Sequence, residues 1–170
     1  MHTLIWQKEP AIQPIEILRG GGVLGEMWLA STPIGICQLE FIMENNTHAA
    51  ENYLKKYWPS CPITFSKNTL DTQALLTKTH ALHVRGTDFQ QKVWRELIKI
   101  PQGKTKSYGD IAAAINKPTA FRAVGGAVGR NPVAVLIPCH RVLAANKQPG
   151  GFAWGIALKK SLLKTEGVLI

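Results

Sequence analysis

The sequence predicts two domains in tandem, an α/β N-terminal domain followed by a mainly α, helix-turn-helix C-terminal domain. Three observations predict this. Residues 12–18, 23–30 and 34–42 read as short strands separated by turn residues. After residue 86 the apolar positions recur at helical spacing. The charge also divides at Arg85: residues 1–85 hold seven basic and seven acidic side chains, residues 86–170 hold thirteen and four. The whole formal net charge of +9 therefore lies in the second half. We place the domains at 1–80 and 87–170, with 81–86 as a linker.

Length and composition bound the function. A chain of 170 residues suits one ordinary domain or two small ones. With 45% hydrophobic and 18% charged residues it has the profile of a folded protein. No apolar run approaches the ~18 residues that cross a bilayer, and Met1 to Pro10 lack the pattern of a secretory signal. Cys37, Cys61 and Cys139 are too few and too scattered for a disulfide framework. The expectation is a protein of a reducing compartment, cytoplasmic or, in a eukaryote, nuclear, with free thiols and no membrane attachment. The charge asymmetry points to a polyanion, nucleic acid before membrane; the alternative is a merely solubilising surface.

The elements follow in order. Gly20-Gly21-Gly22 and Ser31-Thr32-Pro33 are the turns between the strands, and a helix is expected from Thr47 to Lys56. Residues 66–86 are polar and poorly periodic. Thr87 with Gln90 forms a capping box for a helix whose stripe is Phe89, Val93, Trp94, Leu97 and Ile98. Pro101-Gln102-Gly103 ends it. Ser107 with Asp110 opens a second helix, with Tyr108, Ile111, Ala112 and Ile115 inward. Asn116-Lys117-Pro118 turns the chain, and Thr119 caps a third helix running to about Gly129.

Two short helices joined by three residues is helix-turn-helix spacing. The third helix is nearly bare, with Ala120, Ala123, Gly125, Gly126 and Ala127, and its long polar arms are Arg122 and Arg130. Each internal glycine costs about 1 kcal/mol relative to alanine. A bare face suits close approach to a groove floor; it equally suits tight packing against another helix.

The apolar run Val133 to Ile137 reads as a buried strand delivering Pro138-Cys139-His140-Arg141-Val142. A cysteine beside a histidine is a candidate nucleophile, because the base can supply the thiolate that is scarce at neutral pH. Glu166, the one carboxylate after Asp110, is a candidate to orient His140. The alternative is that Cys139 is a small buried hydrophobe and His140 structural. Cys37 and Cys61 read as packing residues. Together with His80 and His83 they match no compact zinc spacing.

These residues, with Arg122-Ala123-Val124-Gly125-Gly126-Ala127 and Asn131-Pro132 before them, resemble the 6-O-methylguanine-DNA methyltransferase family, the methylated-DNA–protein-cysteine methyltransferases. Gly86-Thr87-Asp88-Phe89-Gln90-Gln91, Ile100-Pro101-Gln102-Gly103 and Ser107-Tyr108-Gly109 extend the resemblance over residues 86–167. It implies a ribonuclease H-like N-terminal domain and a winged-helix C-terminal domain. It also implies single-turnover transfer of an alkyl group to Cys139 from the exocyclic oxygen of guanine in double-stranded DNA, with alkylated thymine left open as a second substrate. By the same resemblance His140 is a base acting through water, Glu166 its orienting partner and Asn131 a support of the turn. Arg122 fills the space of a flipped base, and Tyr108 aids rotation and contacts that base. The Cys139 and Val142 carbonyls receive the guanine amine, and the Ala153 N–H meets the reacting oxygen. Thr119, Ala120, Ala123, Gly126 and Arg130 complete the DNA-facing set. A monomer is implied, with no metal and no organic cofactor.

Three positions depart from the family pattern. Phe152 stands where tyrosine is frequent, and Trp154 and Phe121 replace small residues. Trp154 is expected to narrow the alkyl pocket. The rival readings are a non-catalytic winged-helix DNA binder or damage sensor, and a Cys-His hydrolase or thiol transferase.

Overall fold

A computed structural model describes residues 2–5, 12–22, 24–43 and 49–170. The chain divides into two compact units: residues 1–85 with 132–134, and residues 86–131 with 135–170. Among the described residues, the first is a six-stranded mixed sheet with two helices and the second a set of four α-helices with a two-stranded ribbon.

In the first unit, β2 (Ile15–Gly20), β3 (Met27–Thr32) and β4 (Gly35–Phe41) form an antiparallel meander. Strands β5 (Ile63–Thr69), β6 (Ala81–His83) and β1 (Thr3–Ile5) add in parallel, giving the order β1-β6-β4-β3-β2-β5. Helices α1 (Ala49–Tyr57) and α2 (Thr72–Thr77) lie between strands in sequence. The Thr47 start expected for α1 and the Val23 start expected for β3 lie outside the described residues.

The expected linker at 81–86 is corrected. Its first three residues are strand β6, and Val84 and Arg85 are buried with that unit. Arg85 stacks on Trp58, 3.7 Å from the ring centroid, and donates to the Tyr57 carbonyl at 2.8 Å. His83 joins this cluster edge-on to Trp58, and its Nδ1 lies 2.8 Å from the Thr32 hydroxyl. Burial, and then the Arg85 charge, push His83 down to about 4. Cys37 donates to the Ala30 carbonyl, and the His80 ring bonds the Leu75 carbonyl. No group of three or more His, Cys, Asp or Glu suited to a metal ion occurs among the described residues.

In the second unit, α3 (Asp88–Ile98) starts in a complete capping box of Thr87 and Gln90, and α4 (Tyr108–Ala114) in one of Ser107 and Asp110. Both were legible from residue type and spacing. Asn116 takes the left-handed conformation, φ 58, after α4. The N–H of Lys117 then reaches the Ala112 carbonyl and that of Asn116 the Ala113 carbonyl, which closes the helix in a Schellman motif. The next helix, α5 (Phe121–Gly129), corrects another expectation. Its N-cap is Ala120, not Thr119, and no side chain caps it. Strands β7 (Lys106–Ser107) and β8 (Val142–Leu143) pair in parallel, and α6 (Ile156–Thr165) ends the fold.

The apolar run 133–137 is not a strand. Val133 makes a single bridge to Leu39 within the first unit's sheet, with the Leu39 N–H on Pro132 and the Ala134 N–H on Leu39. The chain then turns at Val135, φ 64. A β-branched residue there is strained, so the ladder stops and burial is achieved through a turn. Among the described residues, no helix is long and apolar enough to cross a membrane.

Gly20 is required by close approach. A Cβ there would meet the Leu70 carbonyl oxygen at 2.1 Å, a backbone atom that cannot yield. We expect Gly20→Ala to lower unfolding stability by about 2 kcal/mol or more. Gly129→Ala, with no atom within 4 Å of its Cβ position, should be neutral or slightly stabilising. Urea unfolding of the two variants checks both.

Candidate functional site

Cys139 opens a single 3-10 turn, Cys139–Arg141, immediately before β8. Cys139 is 2% exposed. The Asn131 side-chain amide donates to it at 3.1 Å and to the Ile137 carbonyl at 2.8 Å. One amide thus ties the thiol to the turn that carries it.

His140 is fully buried, and its Nε2 lies 2.9 Å from Glu166 Oε1. Glu166 caps the C-terminus of α6. Arg141 grips the same carboxylate, with Nε on Oε2 at 2.9 Å and Nη2 on Oε1 at 2.7 Å, and its Nη1 reaches the Ile100 carbonyl at 2.6 Å. Burial alone would raise the Glu166 pKa. The bonds from His140 and Arg141 outweigh it and bring the carboxyl down to about 2. An ionised carboxylate only accepts, so the His140 proton sits on Nε2 and Nδ1 presents a lone pair. Nδ1 is buried with no protein partner. Burial lowers the His140 pKa against the opposing pull of Glu166, so the ring is neutral.

Burial raises the Cys139 pKa, while the Asn131 amide and the Lys159 charge work the other way. Lys159 is a find of the structure. It is fully buried, and its ammonium donates to the carbonyls of Val142 at 2.6 Å and Pro149. Burial brings it down to about 8. Sequence reading also passed over the Arg141 clamp. The signal for Lys159 was its place three and four residues before the inward Leu162 and Leu163.

Beside this cluster is a cavity of about 470 Å³ lined by Tyr108, Phe121, Arg122, Gly125, Phe152 and Ala153, among others, within the range of small-molecule sites. Tyr108 is half-buried; burial, and then the nearby Cys139, push its phenol upward. Gly150, φ +62, crosses close to it, since a Cβ there would lie 3.0 Å from the Tyr108 hydroxyl.

Of the predicted site residues, Cys139, His140, Glu166 and Asn131 come together, and Tyr108, Phe152, Ala153 and Arg122 surround the cavity. Val142 and Trp154 do not line it. Both are buried, the Val142 carbonyl already receives Lys159, and Trp154 packs edge-on to Phe152 at 5.2 Å. Trp154 therefore bears on the cavity through Phe152, which lines it. On α5, Val124, Ala127 and Val128 pack inward, and the Trp94 indole donates to the Ala127 carbonyl at 2.9 Å. Ala123 and Arg122 face solvent, and Gly126 is half-buried. Arg130 folds back onto the Gly126 carbonyl, 3.1 Å away. Thr119 is exposed and Ala120 half-buried, both at the start of that helix.

Residues 88–168 match the family model described as 6-O-methylguanine DNA methyltransferase, DNA binding domain. The Mycobacterium tuberculosis methylated-DNA–protein-cysteine methyltransferase is 53% identical over 85 residues, 50% of this chain and 52% of that one. The crystal structure of the M. tuberculosis protein in complex with DNA aligns with a TM-score of 0.73 and 32% identity, covering 89% of this chain and 92% of that one. The chain belongs to the 6-O-methylguanine DNA methyltransferase family. The family's enzyme from Pyrococcus kodakaraensis aligns at a TM-score of 0.66 and 27% identity, over 91% of this chain and 99% of that one. In sequence, the chain spans about half the length of the curated relatives of this family that it matches.

Glu166 carries a pH signature. Its pKa falls from 4.5 to about 2 on folding. The stability it contributes is fully present above 4.5 and is lost as pH falls through about 2. We expect Glu166→Gln to cost on the order of 3 kcal/mol at pH 7, because it leaves Arg141 unpaired. That difference should shrink between pH 4.5 and 2; urea unfolding at several pH values measures it.

Proposed function

We propose that this chain repairs alkylated guanine in double-stranded DNA by transferring the alkyl group to Cys139, once per molecule. The observation that carries this reading is the Asn131–Cys139 and His140–Glu166 pair of contacts beside an aromatic cavity, in the basic half of the chain. Relatives carry the name methylated-DNA–protein-cysteine methyltransferase, and one solved relative holds DNA.

In this reading the thiol proton passes through a water to His140 Nδ1. The sulfur then bonds the alkyl carbon as the bond from that carbon to the guanine oxygen breaks. Guanine regains a proton, which balances the one lost by the thiol. Glu166 holds the imidazole in the required tautomer, and Asn131 steadies the sulfur. Burial leaves Cys139 protonated at rest, so the proton is removed during the reaction and not before it.

The lesion must leave the stack, at a cost of a few kcal/mol. Arg122, exposed on α5 at the cavity, fills the space it vacates. Tyr108 lines the receiving cavity and the Ala153 N–H meets the reacting oxygen. Thr119, Ala120, Ala123, Gly126 and Arg130 mark the face laid on DNA, which the bare surface of α5 favours. The Val142 carbonyl serves the guanine amine beside its bond to Lys159, a carbonyl having two lone pairs. We read the first unit as ribonuclease H-like and the second as a winged helix with β7 and β8 as its ribbon. The protein works as a monomer, without metal or organic cofactor, in the cytoplasm or nucleus.

Equimolar incubation with duplex DNA bearing 6-O-methylguanine should place one methyl group on the Cys139 peptide, read by mass spectrometry. No second equivalent of DNA should be repaired. Cys139→Ser should bind DNA and repair none; repair by that variant, or an unmodified Cys139 in the parent, would overturn the reading. The transfer rate should also hold as pH falls through about 6.5, the ordinary histidine value, because burial lowers the His140 pKa. It should drop only at lower pH, when Nδ1 takes a proton. Single-turnover kinetics across pH 5–8 measures this.

A further inference from the structure

We propose that Phe121 is a second wedge, stacking on the base next to the extruded guanine while Arg122 fills the gap. The inference rests on the reading above.

Phe121 is 48% exposed, in a unit whose other aromatic side chains are buried or half-buried. It is the first residue of α5, and no side chain caps that end of the helix. Beyond it the exposed surface of α5 is small, with Ala123 and Gly129. The groups that project are Phe121, Arg122 and Arg130, and Arg130 is folded back on its own helix. Phe121 and Arg122 therefore reach outward side by side. The guanidinium carbon is 6.0 Å from the ring centroid, and both side chains line the cavity.

An exposed phenyl ring gains by being covered, and nucleic acid offers a flat π face to cover it. Stacking on an aromatic side chain tolerates any base. Apolar side chains entering between base steps are a known way to hold a duplex open. The Phe121 ring is 48% exposed beside Arg122, whereas Tyr108 is half-buried, so of the two rings Phe121 is the one open to the stack.

The test compares parent, Phe121→Ala and Phe121→Trp in the full chain. The first readout is the ratio of transfer rates on duplex lesion and on free 6-O-benzylguanine. The ratio should fall about 10-fold in Phe121→Ala and recover in Phe121→Trp. An unchanged ratio overturns the proposal, as does an equal loss on both substrates, which would assign the ring to holding the extruded base and not its neighbour in the stack. The second readout needs no chemistry: 2-aminopurine placed beside an abasic site should be quenched on binding the parent and less so by Phe121→Ala. Equal quenching overturns the wedge. A parent that stacks on this duplex but transfers nothing from the lesion sinks the alkyl-transfer reading and leaves the wedge standing.

Discussion

Glu166 is shared between an imidazole and a guanidinium, and most of the site hangs from that sharing. Its Oε1 takes bonds from His140 and Arg141, and its Oε2 another from Arg141. Arg141 also holds the carbonyl of Ile100, just beyond α3. Three segments, the end of α3, the cysteine turn and the end of α6, therefore meet at one negative charge. That charge is cheap to keep ionised only because two donors surround it. With it ionised, the tautomer of His140 follows, with the proton on Nε2 and a lone pair on the buried Nδ1.

The thiol is balanced differently. Burial pushes Cys139 up, and Asn131 and Lys159 only partly offset it. A resting thiolate at this site would be stripped of water and available to any electrophile. The Cys139 thiol is therefore protonated at rest, next in sequence to a buried, neutral imidazole. Lys159 has a second task, since its ammonium spans the carbonyls of Val142 and Pro149 and so braces the loop that leads to Phe152. Burial brings that ammonium down to about 8, and the carbonyls it donates to keep its charge hydrogen-bonded in the interior.

What could be read from the chain was local. Both capping boxes depend on residues three apart, and the Asn116 turn on one residue's tolerance of positive φ. The inward stripe of α3 needed only periodicity. Cys139, His140 and Glu166 were legible because chemistry-bearing residues are scarce after Asp110. The failures share one cause, that the deciding partner is distant in sequence. Residues 133–137 have the composition of a strand, yet only Val133 finds a bridging partner, Leu39. Strand β5 has exposed residues on both faces, so no alternation marks it. Strand β6 is three residues long and is a strand only because Ile36 and the Thr3–Ile5 segment flank it. Arg141 looked like part of a motif, and its function as a clamp depends on Glu166, 25 positions away.

The small residues of α5 then have two explanations that no longer compete. Val124, Ala127 and Val128 are packed, and the Trp94 indole on the Ala127 carbonyl needs a helix surface without bulk. Gly125 faces the Tyr108 ring, where a Cβ would sit 3.8 Å from it, an ordinary contact. Packing alone would thus permit alanine at 125, and alanine would stabilise the helix by about 1 kcal/mol. Glycine there gives up that stability while bordering the cavity with Tyr108. Space at the cavity wall, not closeness of helices, is the physical reason left for it. Gly150 is glycine for a different reason, since its positive φ strains any side chain and a Cβ there would lie 3.0 Å from the Tyr108 hydroxyl.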